Sequence, residues 1–178
     1  MLLDQINNTG DIKNIPKSQY PELAQEIRDF LIKAKKATYA NVNIEKVAAS
    51  RRGSNDYEYS NNEMTYHDTY FGGTNFIGEE VVYEGSSEKP IWGMNYYGVT
   101  LDQNLSEEAM DKALRPALMK VGEDDDILPV RGPRRFINDN YEYTFNVDGD
   151  LEHFDGVEEI RKDGVLIYRL RCTGGKIV

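Results

Sequence analysis

Chemistry in this chain would have to come from a few side chains. The stretch Phe76-Ile77-Gly78-Glu79-Glu80 is matched without a gap by Phe154-Asp155-Gly156-Val157-Glu158, an F-x-G-x-E pattern used twice. If the copies are one hairpin type repeated, Glu80 and Glu158 face a common space. Two carboxyl groups in a shared, partly dry site acquire separated pKa values, as general acid–base work requires. Two such oxygens could also bind a cation; alternatively, each glutamate satisfies backbone N–H groups or an arginine. His67, beside Asp68, is the third candidate for catalysis, because a carboxylate can fix a histidine's tautomer. Neighbouring strand residues point to opposite faces, so His67 and Asp68 are not expected to pair, and His67 also reads as an ordinary strand residue.

Aromatic residues crowd into residues 66–97. Tyr66, Tyr70, Trp92, Tyr96 and Tyr97 there could line one sheet face, each ring combining apolar area with a polar handle. Arg131, from the cluster Arg131-Gly132-Pro133-Arg134-Arg135, could hold a carboxylate or phosphate of a ligand, or pair with local acids. The alternative for the tyrosines is a tyrosine-rich core edge. No metal or cofactor is expected. The two histidines lack H-x-H or H-E-x-x-H spacing, and Gly72-Gly73 and Gly174-Gly175 lack a nucleotide-loop pattern. Cys172 reads as a buried, inert thiol.

The elements that would position these groups alternate in kind. Leu23, Ile27, Phe30, Leu31 and Ala34 make one helical stripe after Pro16 and Pro21. Tyr57, Tyr59, Met64 and Tyr66 alternate with polar residues around Asn61-Asn62, a hairpin signal. Strands are expected over 76–83 and 90–97, then a helix capped by Ser106 and interrupted by Pro116. Residues 131–135 read as a turn, before strands near 141–145, 156–160 and 165–171, the last two joined at Asp163-Gly164. The order predicts an α+β fold: a mostly antiparallel sheet built from two similar hairpin units, packed by an N-terminal and a central helix. A helical leader over 1–36 and one domain over 37–178 are expected.

The chain has 178 residues, 31 acidic against 21 basic side chains, a formal charge of -10 and one cysteine. With 39% hydrophobic and 11% aromatic residues it can bury a core. Such acidity disfavours direct nucleic-acid binding, and no apolar run is long enough to span a bilayer. The lone cysteine and the absence of a signal-peptide pattern point to the cytoplasm.

Two resemblances add to this. The opening, Leu2-Leu3-Asp4-Gln5-Ile6-Asn7 through Ile27-Arg28-Asp29-Phe30-Leu31, resembles the N-terminus of 1-deoxy-D-xylulose-5-phosphate synthase, without that family's magnesium-diphosphate motif. From about residue 30 onward, Ser50-Arg51-Arg52-Gly53-Ser54, Tyr66-His67-Asp68-Thr69-Tyr70-Phe71-Gly72-Gly73 and Pro90-Ile91-Trp92-Gly93-Met94-Asn95-Tyr96-Tyr97-Gly98 resemble a bacterial domain family of unknown function. Its members often follow an XRE-type helix-turn-helix in transcription regulators. The extra N-terminal residues are too few for such a reader, so a stand-alone domain is expected. The leading expectation is a small-ligand- or partner-binding domain, leaning away from catalysis. The rivals are a small hydrolase or lyase with a glutamate base, and a homodimer formed through the tyrosine face.

Overall fold

The computed structural model describes residues 20–85, 89–102 and 104–177. Pro16, residues 1–19 of the expected leader, loop residues 86–88 and the side chains of residues 20–23 lie outside the described residues. Helix α1 (Tyr20–Ala37) is followed by strands β1 (Asn55–Ser60), β2 (Met64–Gly72), β3 (Phe76–Glu84) and β4 (Lys89–Thr100). Helix α2 (Glu107–Leu118) then precedes β5 (Arg135–Asn138), β6 (Tyr141–Gly149), β7 (His153–Lys162) and β8 (Val165–Lys176). All eight strands form one antiparallel sheet in the order β1-β2-β3-β4-β8-β7-β6-β5. Each half is thus a helix followed by a four-stranded meander, and the last strands of the two meanders meet at the centre.

The register at that seam is symmetric. Tyr96 pairs with Cys172, flanked by Gly98–Leu170 on one side and Met94–Gly174 on the other. The two F-x-G-x-E stretches sit at matching places: Phe76 lies opposite Gly98, and Phe154 opposite Gly174. The pattern has a steric cause. The Phe76 ring lies over Gly98, where an added Cβ would come within 2.7 Å of its Cε1, and Phe154 Cζ would be 2.9 Å from a Cβ on Gly174. A ring covering a bare strand glycine restores the packing that the missing side chain forfeits. Two residues on, Gly78 leaves room for the Tyr96 ring, and Gly156 for the Cys172 thiol and the Phe145 ring. With the strand period of two, Glu80 and Glu158 then point to the same inner face as their phenylalanines.

That inner face carries the core. Ile27, Phe30, Leu31 and Ala34 bury the stripe of α1 against it, and Met110, Ala113, Leu114, Ala117 and Leu118 do so for α2. α1 packs on β1 and β2, α2 on β5 and β6. Ser106 caps α2, its hydroxyl accepting from the Ala109 N–H at 3.2 Å, and Pro116 stands in the final turn, two residues before the helix ends. Both helices therefore belong to one core.

Three local features complete the frame. Residues 131–135, expected as a turn, lead directly into β5, a four-residue edge strand with alternating half-exposed positions. Its brevity and partial exposure leave little hydrophobic signal. The Asp163-Gly164 turn forms as expected, with φ of 50° and 81°, the left-handed pair a two-residue hairpin turn demands. On the outer face, Asp56 of β1 is fully buried beneath the loop before it. It accepts hydrogen bonds from Ser50 (2.6 Å), Thr69 (2.7 Å) and Ser54, with His67 Nε2 at 2.8 Å. Burial works against its charge, but these partners outweigh that and hold its pKa well below the usual carboxylate range. No helix among the described residues is long and apolar enough to cross a membrane.

Candidate functional site

A cavity of about 280 Å³ lies between the inner face of β1–β4 and the two helices. Its floor is built by strand alternation. Tyr66, Asp68 and Tyr70 rise from one face of β2, while Phe76 and Glu80 rise from β3 and Tyr96 from β4. Asp68 and Glu80 stand directly opposite each other in the ladder. Lys35, at the end of the buried stripe of α1, forms an ion pair with Glu80. Tyr96 donates its hydroxyl to Asp68 at 2.6 Å.

Arg131 closes the deep end. It is 7% exposed and grips Glu158 with two hydrogen bonds of 2.9 Å, while its other terminal nitrogen lies 3.9 Å from Glu80. The tyrosines Tyr143 (2.7 Å) and Tyr168 (3.0 Å) also donate to Glu158. At the mouth, Tyr39, Tyr57 and Tyr70 form an aromatic wall, Tyr39 edge-on to both others with centroids 6.1 and 5.9 Å away. Arg115 of α2 secures this corner by donating to the Tyr39 carbonyl at 2.6 Å, with its guanidinium 4.3 Å from the Tyr39 ring. Tyr39 in turn donates to Asp111 at 2.8 Å.

These surroundings separate the titrating groups. Burial first, and then the charge of Glu80, push the Asp68 carboxyl up to about 7, although Tyr96, Lys35 and Arg131 pull the other way. Burial chiefly raises Tyr66 and Tyr96 well above the ordinary phenol range, with Glu80 and Asp68 adding to it. The Tyr143 and Tyr168 phenols are raised in the same way, by burial and then by Glu158. Cys172 is pushed up to about 12 by burial, an inert thiol.

The structure brings Tyr66, Tyr70, Tyr96, Glu80 and Arg131 to the cavity. Glu80 and Glu158 do approach a common point, but that point is the Arg131 guanidinium, and Glu158 is fully enclosed by its partners. Trp92 is not at the cavity: it is fully buried and stacked on Phe154, centroids 5.9 Å apart, and its indole N–H finds no acceptor among the described residues. Tyr97 lies on the outer face opposite Ile77, half exposed. His67 is also on the outer face, held by Asp56. Sequence reasoning passed over Lys35, Tyr39 and Tyr57 as site residues and weighed Asp68 only as a partner for His67. A lysine four residues after Leu31 on an apolar stripe, and an aspartate between Tyr66 and Tyr70 on one strand face, were the available signals. Among the described residues no group of His, Cys, Asp and Glu could hold a metal ion.

Fold and site together define an α+β domain whose two halves each pair a helix with a four-stranded meander, with a polar cavity under the first half. The chain belongs to the family described as domain of unknown function DUF5680, whose model matches residues 68–177. A separate similarity, 58% identical over 31 residues, links it to 1-deoxy-D-xylulose-5-phosphate synthase of Thermobifida fusca (strain YX). That match covers 17% of this chain and 5% of the enzyme. No solved structure matches.

Proposed function

We propose that this protein is a small-ligand-binding domain whose site is the cavity under β1–β4. The observation that carries this reading is the lining. Four ionisable side chains, Lys35, Asp68, Glu80 and Arg131, and the tyrosines Tyr66 and Tyr96 converge on a space that packing has left open. A concave space with aromatic walls and a few convergent polar groups is the usual form of a small-molecule site. A volume of about 280 Å³ suits a compound of one ring with a short substituent. The resemblance to domains that follow DNA readers supports a regulatory role for ligand binding.

Native mass spectrometry of the protein purified from cells tests this. A retained small-molecule mass on the native chain is expected, lost in an Asp68→Phe variant that fills the cavity. A retained mass that survives Asp68→Phe would place the ligand elsewhere.

A second reading, a small hydrolase or lyase, is favoured by one feature. Asp68 and Glu80 form an adjacent carboxyl pair in unlike surroundings, one buried beside a tyrosine hydroxyl and the other held by Lys35. In that case Asp68 rather than Glu158 would partner Glu80. Turnover abolished by both Asp68→Asn and Glu80→Gln would support it, and turnover surviving either would exclude it.

A further inference from the structure

The carboxylates around the cavity differ in one respect. Glu80 pairs with Lys35, Glu158 with Arg131, and Asp111 with Arg115 at 2.9 Å. Glu108, at the rim, pairs with Lys112 at 2.8 Å. Asp68, 4% exposed, has the Tyr96 hydroxyl as its partner and no cation within ion-pair distance among the described residues. At the deep end, Lys35 and Arg131 balance Glu80 and Glu158 in number, so an ionised Asp68 is one negative charge in excess.

An anionic ligand would meet no such vacancy there. Lys35, Arg131 and Arg115 are all engaged by carboxylates, and Lys46, bonded to Asn55 at 2.7 Å, stands exposed at the rim. A cation has a charge to meet and rings to lie against, although Lys46 already stands 6.0 Å from the Tyr70 ring and the Arg131 guanidinium 5.9 Å from the Tyr96 ring. Tyr70 and Phe76 meet edge to face at 6.5 Å, and Phe76 meets Tyr96 in the same way at 5.9 Å, around the space Asp68 faces. Aromatic faces and an unpaired buried carboxylate are the two features that recognise an organic ammonium group.

Resting on the ligand-binding reading above, we propose that the cavity takes a small primary amine bearing an apolar ring. Its ammonium sits on Asp68 and its ring against Tyr70, Phe76 and Tyr96. The groups facing Asp68 are Glu80 from β3, Tyr96 from β4, Tyr66 from its own strand, Lys35 from α1 and Arg131 from the segment after α2. Without a ligand, burial and Glu80 keep Asp68 substantially protonated near neutral pH. Binding therefore exchanges a proton for the ammonium: the Asp68 carboxyl releases H⁺ to the buffer and its carboxylate accepts from the ligand's N–H groups.

Calorimetric titration of the native protein with 2-phenylethylamine, 3-phenylpropan-1-ol and 3-phenylpropionate tests this, since the three share a ring and differ in charge. The amine should bind tightest, with an apparent enthalpy at pH 6.5 that differs between phosphate and Tris by the released proton. Its affinity should rise about tenfold from pH 6 to pH 8, the change linkage gives for a carboxyl that must ionise. Asp68→Asn, which can still accept from Tyr96, should weaken the amine about tenfold or more and leave the alcohol unchanged. The buffer comparison needs no variant, so it holds even if Asp68→Asn folds poorly. Tighter binding of the propionate, or amine binding without proton release, would overturn the amine assignment while leaving the cavity as a ligand site. Saturable binding by none of the three would overturn both.

Discussion

The two halves of this sheet share a scaffold and differ in what they enclose. Register equates Glu80 with Glu158, Tyr66 with Tyr143, Asp68 with Phe145 and Tyr96 with Cys172. In the second half the fully buried Phe145 fills the space beside the glutamate, and Arg131, Tyr143 and Tyr168 satisfy Glu158 completely. In the first half a carboxyl stands where that phenylalanine would be, a lysine from α1 holds the glutamate, and a cavity remains. One frame thus supports a closed polar core on one side and an open polar pocket on the other. Two exchanges account for much of the difference: Asp68 stands where the second half has Phe145, and Tyr96 where it has Cys172.

The largest effect should come from the closed side. Arg131→Met would leave Glu158 buried without its cation, and should lower stability by about 3–5 kcal/mol in urea denaturation. Lys35→Met should cost about 1–2 kcal/mol, because Glu80 borders the cavity and keeps Arg131 nearby. Equal losses in the two variants would break the contrast.

Glycine substitutions come next. Gly78→Ala places a Cβ 2.6 Å from the Thr69 carbonyl oxygen, a backbone atom, whereas Gly156→Ala meets side chains at 2.7 and 2.9 Å. Each should destabilise by about 1–3 kcal/mol, with Gly78→Ala the worse because a backbone cannot step aside as a ring can. Thermal unfolding of the pair reads the order directly.

The pH dependence sharpens the comparison, since Phe145 has no proton to exchange. Asp68 has a folded pKa, about 7, above its unfolded value of 3.8. The native state therefore binds more protons than the unfolded state between those values, and stability falls as pH rises from about 4 to 7 through this group. Asp56 has the opposite sign: its pKa is lowered on folding, so its contribution is lost only as pH falls below about 4. Asp68→Asn should flatten the upper window and leave the acid limb in place.

The smallest expected change is a gain. Asp68→Phe removes a buried carboxyl and fills space but leaves the Tyr96 hydroxyl without its acceptor, so the gain at pH 7 should stay within about 1 kcal/mol.

Much of the frame was legible in the chain. The helix–strands–helix–strands order, the Ser106 cap and the Asp163-Gly164 turn rest on local signals, and each forms where those signals stand. The F-x-G-x-E stretches fall on β3 and β7, where Phe76 and Phe154 each lie opposite a strand glycine, Gly98 and Gly174. What stayed hidden depends on long-range packing. β5 is too short and too exposed to carry a period. Trp92 and Tyr97 belong to the same aromatic run as Tyr96, yet one stacks on Phe154 across the seam and the other faces outward. Alternation separates Tyr97 from Tyr96, but Trp92 shares the face of Tyr96, and its place across the seam depends on how β4 pairs with β8. Lys35 and Asp68 were hidden for a related reason, because each acquires its meaning from a partner on another element.

The central claim is that the open half, not the closed one, binds a ligand. Backbone amide shift mapping during titration with 2-phenylethylamine tests it most directly. Changes concentrated at Lys35, Asp68, Tyr70, Glu80 and Tyr96, with Glu158 and Phe145 unmoved, are the predicted result. Saturating changes centred on β6 and β7, or spread evenly over both halves, would contradict it.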